Sequence, residues 1–150
     1  MEFFHDFFYS KIFLAPFLGW LIAQLLKTII HTIVTKQFLT ERLTGSGGMP
    51  SSHSSAVCAF ATAAGILYGG SSYEFVMATL FAIIIMHDAS GVRREAGNHA
   101  KLLNELYATF LNNDPTLTPR QRLKEFVGHT PIQVLAGAIL GIILGFIVCA

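Results

Sequence analysis

Four long apolar runs dominate this chain of 150 residues and limit the folds that are open to it. They cover residues 13–34, 52–68, 75–90 and 131–150. A helix needs about 20 apolar residues to cross a membrane, with a range of roughly 17 to 25, so the two middle runs require short or tilted helices. Because 53% of the residues are hydrophobic and only 13% are charged, an ordinary soluble domain of this size is excluded. We predict an all-α integral membrane four-helix bundle that forms a single domain over residues 1–150.

Two segments outside these runs are also predicted to be helical. Phenylalanines recur at helical spacing near the N-terminus and favour an interfacial helix there, although a frayed terminus would also fit. They are Phe3, Phe4, Phe7 and Phe8. The charged connector of residues 91–128 shows amphipathic helical periodicity, a break near residues 112–115 and then a second short helix. We expect this cytoplasmic amphipathic connector to lie against the membrane face.

The positions of Lys and Arg set the expected topology. Basic residues occur in the first and third connectors, and residues 69–74 contain none. The positive-inside rule then places both basic connectors in the cytoplasm, although basic residues that bind a phosphate would give the same asymmetry. The net charge of +1 gives no reason to expect nucleic acid as a partner. Counting the spans alone brings several polar residues to one membrane surface: His53, Asp88, Arg93, Arg94 and His129.

The segment Gly47-Gly48-Met49-Pro50-Ser51-Ser52-His53-Ser54-Ser55 directly precedes and enters the second apolar run. We expect Pro50 in the first helical turn, with serine hydroxyls and glycines around it. The first amides of a helix lack partners within the helix and attract anions. The segment therefore predicts a phosphate cradle, with His53 beside it as a proton donor.

A second histidine precedes the last apolar run, in Gly128-His129-Thr130-Pro131. Thr130 and Gln133 have the spacing of a capping box around Pro131. Glycines then follow on one helix face and would allow another helix or a lipid chain to approach closely. They are Gly137, Gly141 and Gly145. Since four spans bury little on their own, we expect this face to join copies of the chain in a homo-oligomer.

Polar residues inside the first apolar run lie on one helical stripe, formed by Gln24, Lys27 and His31. Lys27 lies near the cytoplasmic end, so its ammonium group would either extend to the membrane surface or point into the protein toward the phosphate cradle. We favour the second interpretation, because two polar residues share its face.

Asp88 follows a strongly apolar run, so its charge needs a partner or water. A structural ion pair with Arg93 or Arg94 is one interpretation, and a role toward substrate is the other. Two adjacent arginines are also well suited to binding a phosphate group.

The two histidine motifs resemble signatures of the type 2 phosphatidic acid phosphatase superfamily, which includes lipid phosphate phosphatases and vanadium haloperoxidases. The sequence from His129 to Gly141 is similar to its third signature, and Pro50-Ser51-Ser52-His53 is similar to its second, Pro-Ser-Gly-His. The order of motifs from Gly47 to Pro131 most resembles the divergent, compact branch found in bacteria and chloroplasts. The resemblance covers most of the chain.

This resemblance implies a role for each matching residue. His129 would be the nucleophile that forms a phosphohistidine, and His53 would protonate the leaving alcohol, with Ser51 and Ser52 near the phosphate oxygens. The family holds phosphate with Lys and Arg. From their positions in this chain, rather than from a motif match, we expect Arg93, Arg94 and Lys27 to hold the phosphate and Asp88 to be catalytic. Gln133 stands where the superfamily has an aspartate, and the spacing from Arg93 to His99 makes His99 an alternative nucleophile.

We therefore predict a metal-independent lipid phosphate phosphomonoesterase that needs no cofactor. Its partners would be a lipid phosphate and the bilayer of a bacterial inner membrane or a chloroplast-type membrane, with the site on the cytoplasmic side. The alternative is a non-catalytic lipid-phosphate-binding scaffold or small transporter subunit, which the neutral Gln133 favours.

Overall fold

The computed structural model describes residues 2–37, 47–113, 123 and 128–150, and every regular element within them is an α-helix. The helices are α1 (Glu2–Tyr9), α2 (Lys11–Thr35), α3 (Ser52–Tyr68), α4 (Tyr73–Ser90), α5 (Val92–Asn113) and α6 (Pro131–Cys149). The prediction of an all-helical chain is confirmed.

Three helical segments of the described residues are long and apolar enough to cross a membrane. They are Lys11–Thr35, the segment Tyr73–Phe110 that contains α4, and Pro131–Cys149. Helix α3 has the predicted bounds but only 17 residues and is not one of the three. A membrane crossing by α3, and with it the four-span bundle, stays a prediction.

Capping residues explain where the central helices begin. The side chains of Ser51, Ser72 and Thr130 each accept a hydrogen bond from a backbone amide in the first turn of the following helix. Such a cap satisfies one of the amides that the helix itself leaves without a partner. Pro50 lies before the cap and outside α3, so its expected place in the first helical turn was wrong.

Helix α3 lies at the centre and packs against α2, α4 and α6. The glycine face of α6 is what allows α3 to approach, because a Cβ on Gly137 or Gly141 would overlap the backbone carbonyl of Ser51 or Ser55. The glycine face is thus occupied within one chain. The expectation that it joins two copies was wrong in this respect, and the homo-oligomer stays a prediction without that support.

Most of the buried apolar side chains are small, and many large apolar side chains are exposed. Ala15, Ala59 and Ala63 are fully buried where α2 and α3 meet, and Gly19 brings α2 to within contact of the Ser55 carbonyl. Exposed isoleucine, leucine and phenylalanine side chains cover α2, α4 and α6. Close backbone packing inside with large apolar residues outside is typical of helices surrounded by lipid.

Both segments that were predicted to be amphipathic contain a helix. Helix α1 forms where the phenylalanine pattern predicts a helix, and α5 forms in the connector with exposed leucines along one side. The side-chain amide of Asn104 on α5 bonds both backbone groups of Leu123, at 2.9 and 3.0 Å, so Leu123 lies against α5. The second short helix falls mostly outside the described residues, and the contact of both segments with a membrane stays a prediction.

Candidate active site

The start of α3 is tied to the start of α6 through Ser51. The Ser51 hydroxyl accepts from the Ser54 amide at 3.3 Å and from the Ser54 hydroxyl at 2.9 Å, while the Ser51 amide donates to the Gln133 carbonyl at 3.0 Å. Ser51 is completely buried. Its hydroxyl caps α3, and its backbone fixes the relative position of the two helix starts.

Lys27 reaches this junction from α2. Its side chain is only 2% exposed, and Nζ donates to Gln24 Oε1 at 3.1 Å and to Ser52 Oγ at 3.4 Å. The stem of Lys27 passes close to Gly48, where a Cβ would lie 3.1 Å from Lys27 Cγ. The ammonium group therefore points into the protein beside the first turn of α3. Extension of this lysine to the membrane surface, the interpretation we did not favour, does not occur.

The first turn of α3 offers donors to an anion. Among the described residues, none accepts a hydrogen bond from the backbone amides of Ser52 and His53. The Ser52 hydroxyl accepts from Lys27, so its own proton is free to point elsewhere. Two amides, one hydroxyl and the nearby ammonium group are the kind of donors that hold a phosphate at a helix N-terminus.

His129 is held directly before α6. Its backbone amide donates to the Ala89 carbonyl at 2.9 Å, and its Nδ1 lies 3.3 Å from Gln133 Oε1. The side chain is only 3% exposed, yet Nε2 has no hydrogen-bond partner among the described residues. A buried polar atom without a partner is costly, which makes such atoms informative about function.

Burial is the main reason that the pKa of His129 lies below its ordinary value of 6.5. The positive charge of Lys27 lowers this pKa further, and the hydrogen bond with Gln133 opposes the shift. The Gly48 carbonyl also favours the charged ring, although it makes no hydrogen bond of normal geometry to Nε2. The net effect keeps the imidazole neutral near pH 7, the state in which a ring nitrogen has a lone pair.

Gly128 allows the His129 segment to dock on the start of α5. Its φ of 94° is a conformation that side chains disfavour, and a Cβ would lie 2.5 Å from the Arg94 amide nitrogen and 2.7 Å from the Arg93 carbonyl carbon. Both atoms belong to the backbone and cannot move aside as a side chain could. The glycine is thus required for His129 to reach Ala89.

Replacement of Gly128 by Ala should displace His129 and destabilise the fold. The left-handed backbone and the overlap with α5 together should cost about 1–3 kcal/mol. Thermal unfolding in detergent measures this loss. Gly70→Ala is the matched control, because a Cβ at Gly70 meets nothing within 4 Å. Equal melting temperatures for the two variants would contradict the role given to Gly128.

Asp88 and Arg93 form an ion pair through Arg93 Nε. Both side chains are substantially exposed, so the pair adds little to stability. His53 is exposed, and the charges of Arg93, Lys27 and Asp88 all act on its ring. The terminal nitrogens of Arg93 make no hydrogen bond with the described residues and are donors suited to an anion.

Two predicted residues are not brought into this group. Arg94 and His99 are exposed on α5, and neither makes a hydrogen bond to the site residues within the described part of the chain. His99 lies within α5, whereas His129 lies at the junction of α3, α4 and α6. The described residues also contain no cluster of three or more His, Cys, Asp or Glu side chains suited to a metal ion. The predicted roles of Arg94 and Asp88 toward substrate, and the absence of a cofactor, stay predictions.

Three contacts were not predicted from the sequence. They are the contact of Gln133 with His129, the hydrogen bond from the His129 amide to the Ala89 carbonyl, and the packing of Gly128 against the start of α5. The first had a visible signal, because residues four apart on a helix lie on the same face. The other two join segments that are distant in sequence, and no local pattern reports them.

The fold and these residues define an all-helical membrane protein with a histidine-containing polar site at one end of its helices. Residues 8–144 match the family described as the Divergent PAP2 family, and the chain belongs to that family. The predicted membership in a divergent branch of the superfamily is confirmed. A protein of Bacillus subtilis (strain 168) named "Uncharacterized membrane protein YuiD" is 39% identical over 133 residues, which cover 83% of this chain and 84% of that protein. No solved structure matches the chain.

Proposed function

We propose that this protein is a membrane-embedded phosphomonoesterase that hydrolyses a lipid phosphate through a phosphohistidine at His129. One observation carries the proposal. The buried imidazole of His129 has a pKa below its ordinary value, and its Nε2 has no partner among the described residues, at a junction that also holds a buried lysine and a helix N-terminus. A neutral ring nitrogen near cationic groups is suited to attack a phosphate whose negative charge those groups hold.

The phosphate would be bound by donors from three helices. Lys27 of α2 and the Ser52 hydroxyl of α3 lie together, and the free amides of Ser52 and His53 add the N-terminal field of α3. Arg93 at the start of α5 supplies a second cation near His53. Phosphoryl transfer depends mostly on positioning and on stabilising charge at the phosphoryl oxygens, which this donor set provides.

The reaction proceeds in two steps in this proposal. The Nε2 lone pair of His129 forms a bond to phosphorus while the bond from phosphorus to the alcohol oxygen breaks, and protonated His53 donates its proton to that oxygen. Neutral His53 then takes a proton from water, whose oxygen attacks phosphorus. The bond between phosphorus and Nε2 breaks, inorganic phosphate leaves, and His53 is again protonated.

A small cavity supports an apolar leaving group. It has a volume of about 170 Å³, lies beside Lys27 and Gly48, and has apolar walls that include Ile30, Val34 and Met49. The apolar part of a lipid phosphate would contact this wall, while the phosphate remains at Lys27.

Phosphate release from defined vesicles tests the function. Purified protein would be given a two-chain phosphatidic acid, its single-chain form and an isoprenoid phosphate, with a water-soluble sugar phosphate as the control. We expect release from at least one lipid and much less from the sugar phosphate. No release from any phosphomonoester, at any pH between 5 and 9, would contradict the proposal.

The lowered pKa of His129 predicts the acid side of the pH profile. Protonation removes the lone pair from Nε2, so kcat should fall as the pH drops through a value below 6.5. Removing the positive charge in Lys27→Met should move this limb to higher pH, even though turnover also decreases. Measurement of kcat with saturating substrate in stopped assays over pH 4–8 would give the pH of this acid limb in each variant. An acid limb that stayed at the same pH in Lys27→Met would contradict the assignment.

A non-catalytic lipid-phosphate-binding protein remains the second candidate, since Gln133 is neutral and cannot stabilise a charged imidazole as a carboxylate would. The same donors would then only bind the phosphate. Tight binding of lipid phosphate vesicles that is lost in Arg93→Ala, with no phosphate released, would favour this second function.

A further inference from the structure

We propose that Gln133 is a positioning residue that fixes the tautomer of His129, placing the proton on Nδ1 and leaving the lone pair on Nε2. The purpose of this arrangement rests on the proposed function, since Nε2 is the atom that would attack phosphorus. The arrangement itself follows from hydrogen bonds that do not depend on any reaction.

The direction of each hydrogen bond determines where the proton lies. The Thr130 backbone amide is only a donor, and it lies 3.1 Å from Gln133 Oε1, so the oxygen of the Gln133 amide must occupy that position. The same oxygen lies 3.3 Å from His129 Nδ1. Two acceptors do not bond to each other, hence Nδ1 carries the proton. A neutral imidazole has one N–H. The Gly48 carbonyl, the other acceptor that acts on the ring, makes no hydrogen bond of normal geometry to Nε2, so Nε2 carries no proton.

Gln133 is itself held in place by its backbone. Its amide donates to Thr130 Oγ1 at 3.4 Å, which closes the capping box of α6, and its carbonyl accepts from the Ser51 amide at 3.0 Å. The first bond fixes Gln133 relative to the cap, and the second fixes it relative to α3. A side chain supported in this way holds its acceptor, and thus the ring of His129, in one orientation.

The neutral amide has a chemical consequence that distinguishes it from a carboxylate. An acid at this position would also accept from Nδ1, but its negative charge would favour the protonated imidazolium and reduce the fraction of ring with a free lone pair. The charged and titratable groups that act on the His129 ring, Lys27 of α2 and His53 of α3, both oppose protonation. Gln133 orients the ring without reversing their effect.

The tautomer can be measured directly by 15N NMR of the full chain, labelled at histidine and reconstituted in nanodiscs without substrate. The His129 signals are assigned by their loss in His129→Gln. We expect protonated Nδ1 and unprotonated Nε2 in the wild type and in Gln133→Glu, whose carboxylate keeps both acceptor bonds. Gln133→Met should give a mixture or the opposite tautomer.

Thr130→Ala separates this role from simple helix capping. It removes the hydroxyl that caps α6 but keeps the Thr130 amide and Gln133 Oε1, so the Nδ1–H tautomer should persist. If Gln133 only stabilised the helix, Thr130→Ala and Gln133→Met would alter the His129 signals equally. That result, or an Nε2–H tautomer in the wild type, would overturn the proposal.

Activity provides a second readout that is independent of the first. We expect Gln133→Met to lower kcat by roughly 10- to 1,000-fold, and Gln133→Glu to restore turnover with its acid limb shifted to higher pH. A wild-type protein with the Nδ1–H tautomer but no turnover would remove the proposed function and leave the positioning role intact. An active wild type with the Nε2–H tautomer would overturn the positioning role of Gln133 and leave the phosphatase activity intact.

Discussion

Phosphate release is expected to fall by on the order of 10³-fold or more when His129 is replaced by Gln, for every phosphomonoester the protein accepts. The substitution removes the group proposed to form the covalent intermediate, and no other histidine in the described part of the chain lies buried at this junction. Single-turnover assays with a 32P-labelled lipid would measure release and would also show acid-labile, base-stable label on the wild-type protein but not on the variant.

His53→Gln is the informative companion, because an acid catalyst matters in proportion to how poor the leaving group is. A lipid alcohol leaves poorly as an alkoxide, so loss of His53 should reduce its release by roughly 10²- to 10⁴-fold. A nitrophenyl phosphate, which leaves readily without a proton, should be affected far less. His129→Gln should abolish both reactions. If the two variants lost activity toward both substrates to the same extent, the assigned roles of nucleophile and acid would be wrong.

The helices could be predicted from sequence because their signals are local. Helix α3 begins and ends at the predicted residues, since Ser51 supplies a cap and the chain turns at Gly69. Helix α4 begins at Tyr73, two residues before its apolar run. Its start is set by the cap at Ser72 and not by the first strongly apolar residue. A capping residue and the helical spacing of apolar residues can both be recognised without knowing what packs against the helix.

The partners of these helices were less predictable, because small residues report only that something approaches closely. The glycines of α6 were expected to let another helix or a lipid chain approach and to join copies of the chain, and the structure gives them α3 of the same chain. Pro50 shows the same limit at shorter range, since proline suits both the first turn of a helix and the segment before its cap.

The candidate site was predicted better as a set of residues than as a set of contacts. Counting spans brought His53, Asp88 and His129 to one surface, and the polar stripe directed Lys27 inward, as the bonds to Gln24 and Ser52 show. The effect of Gln133 on His129 was predicted only from its neutral charge, as the loss of a carboxylate. Its contribution depends on the contact between Gln133 Oε1 and His129 Nδ1, and a sequence does not specify side-chain geometry.

The packing of α6 on α3 leads to a prediction whose sign is unusual. Glycine in the middle of a helix is ordinarily less stable than alanine by roughly 0.5–1 kcal/mol, so Gly→Ala on an open helix face stabilises. At Gly141 the added Cβ would overlap the Ser55 carbonyl oxygen, a backbone atom that also lies close to Gly19 of α2. We expect Gly141→Ala to destabilise the protein by about 1–3 kcal/mol, because α3 or α6 must shift.

The same shift should reach the site, since the junction that Ser51 makes with Gln133 lies on the same pair of helices. Gly141→Ala is therefore expected to lower both the melting temperature in detergent and the rate of phosphate release. Gly70→Ala, with open space around its Cβ, should change neither. If Gly141→Ala were as stable as wild type, α6 would have to pack on α3 less closely than the overlap with the Ser55 carbonyl requires, and the intramolecular role of the glycine face would be refuted.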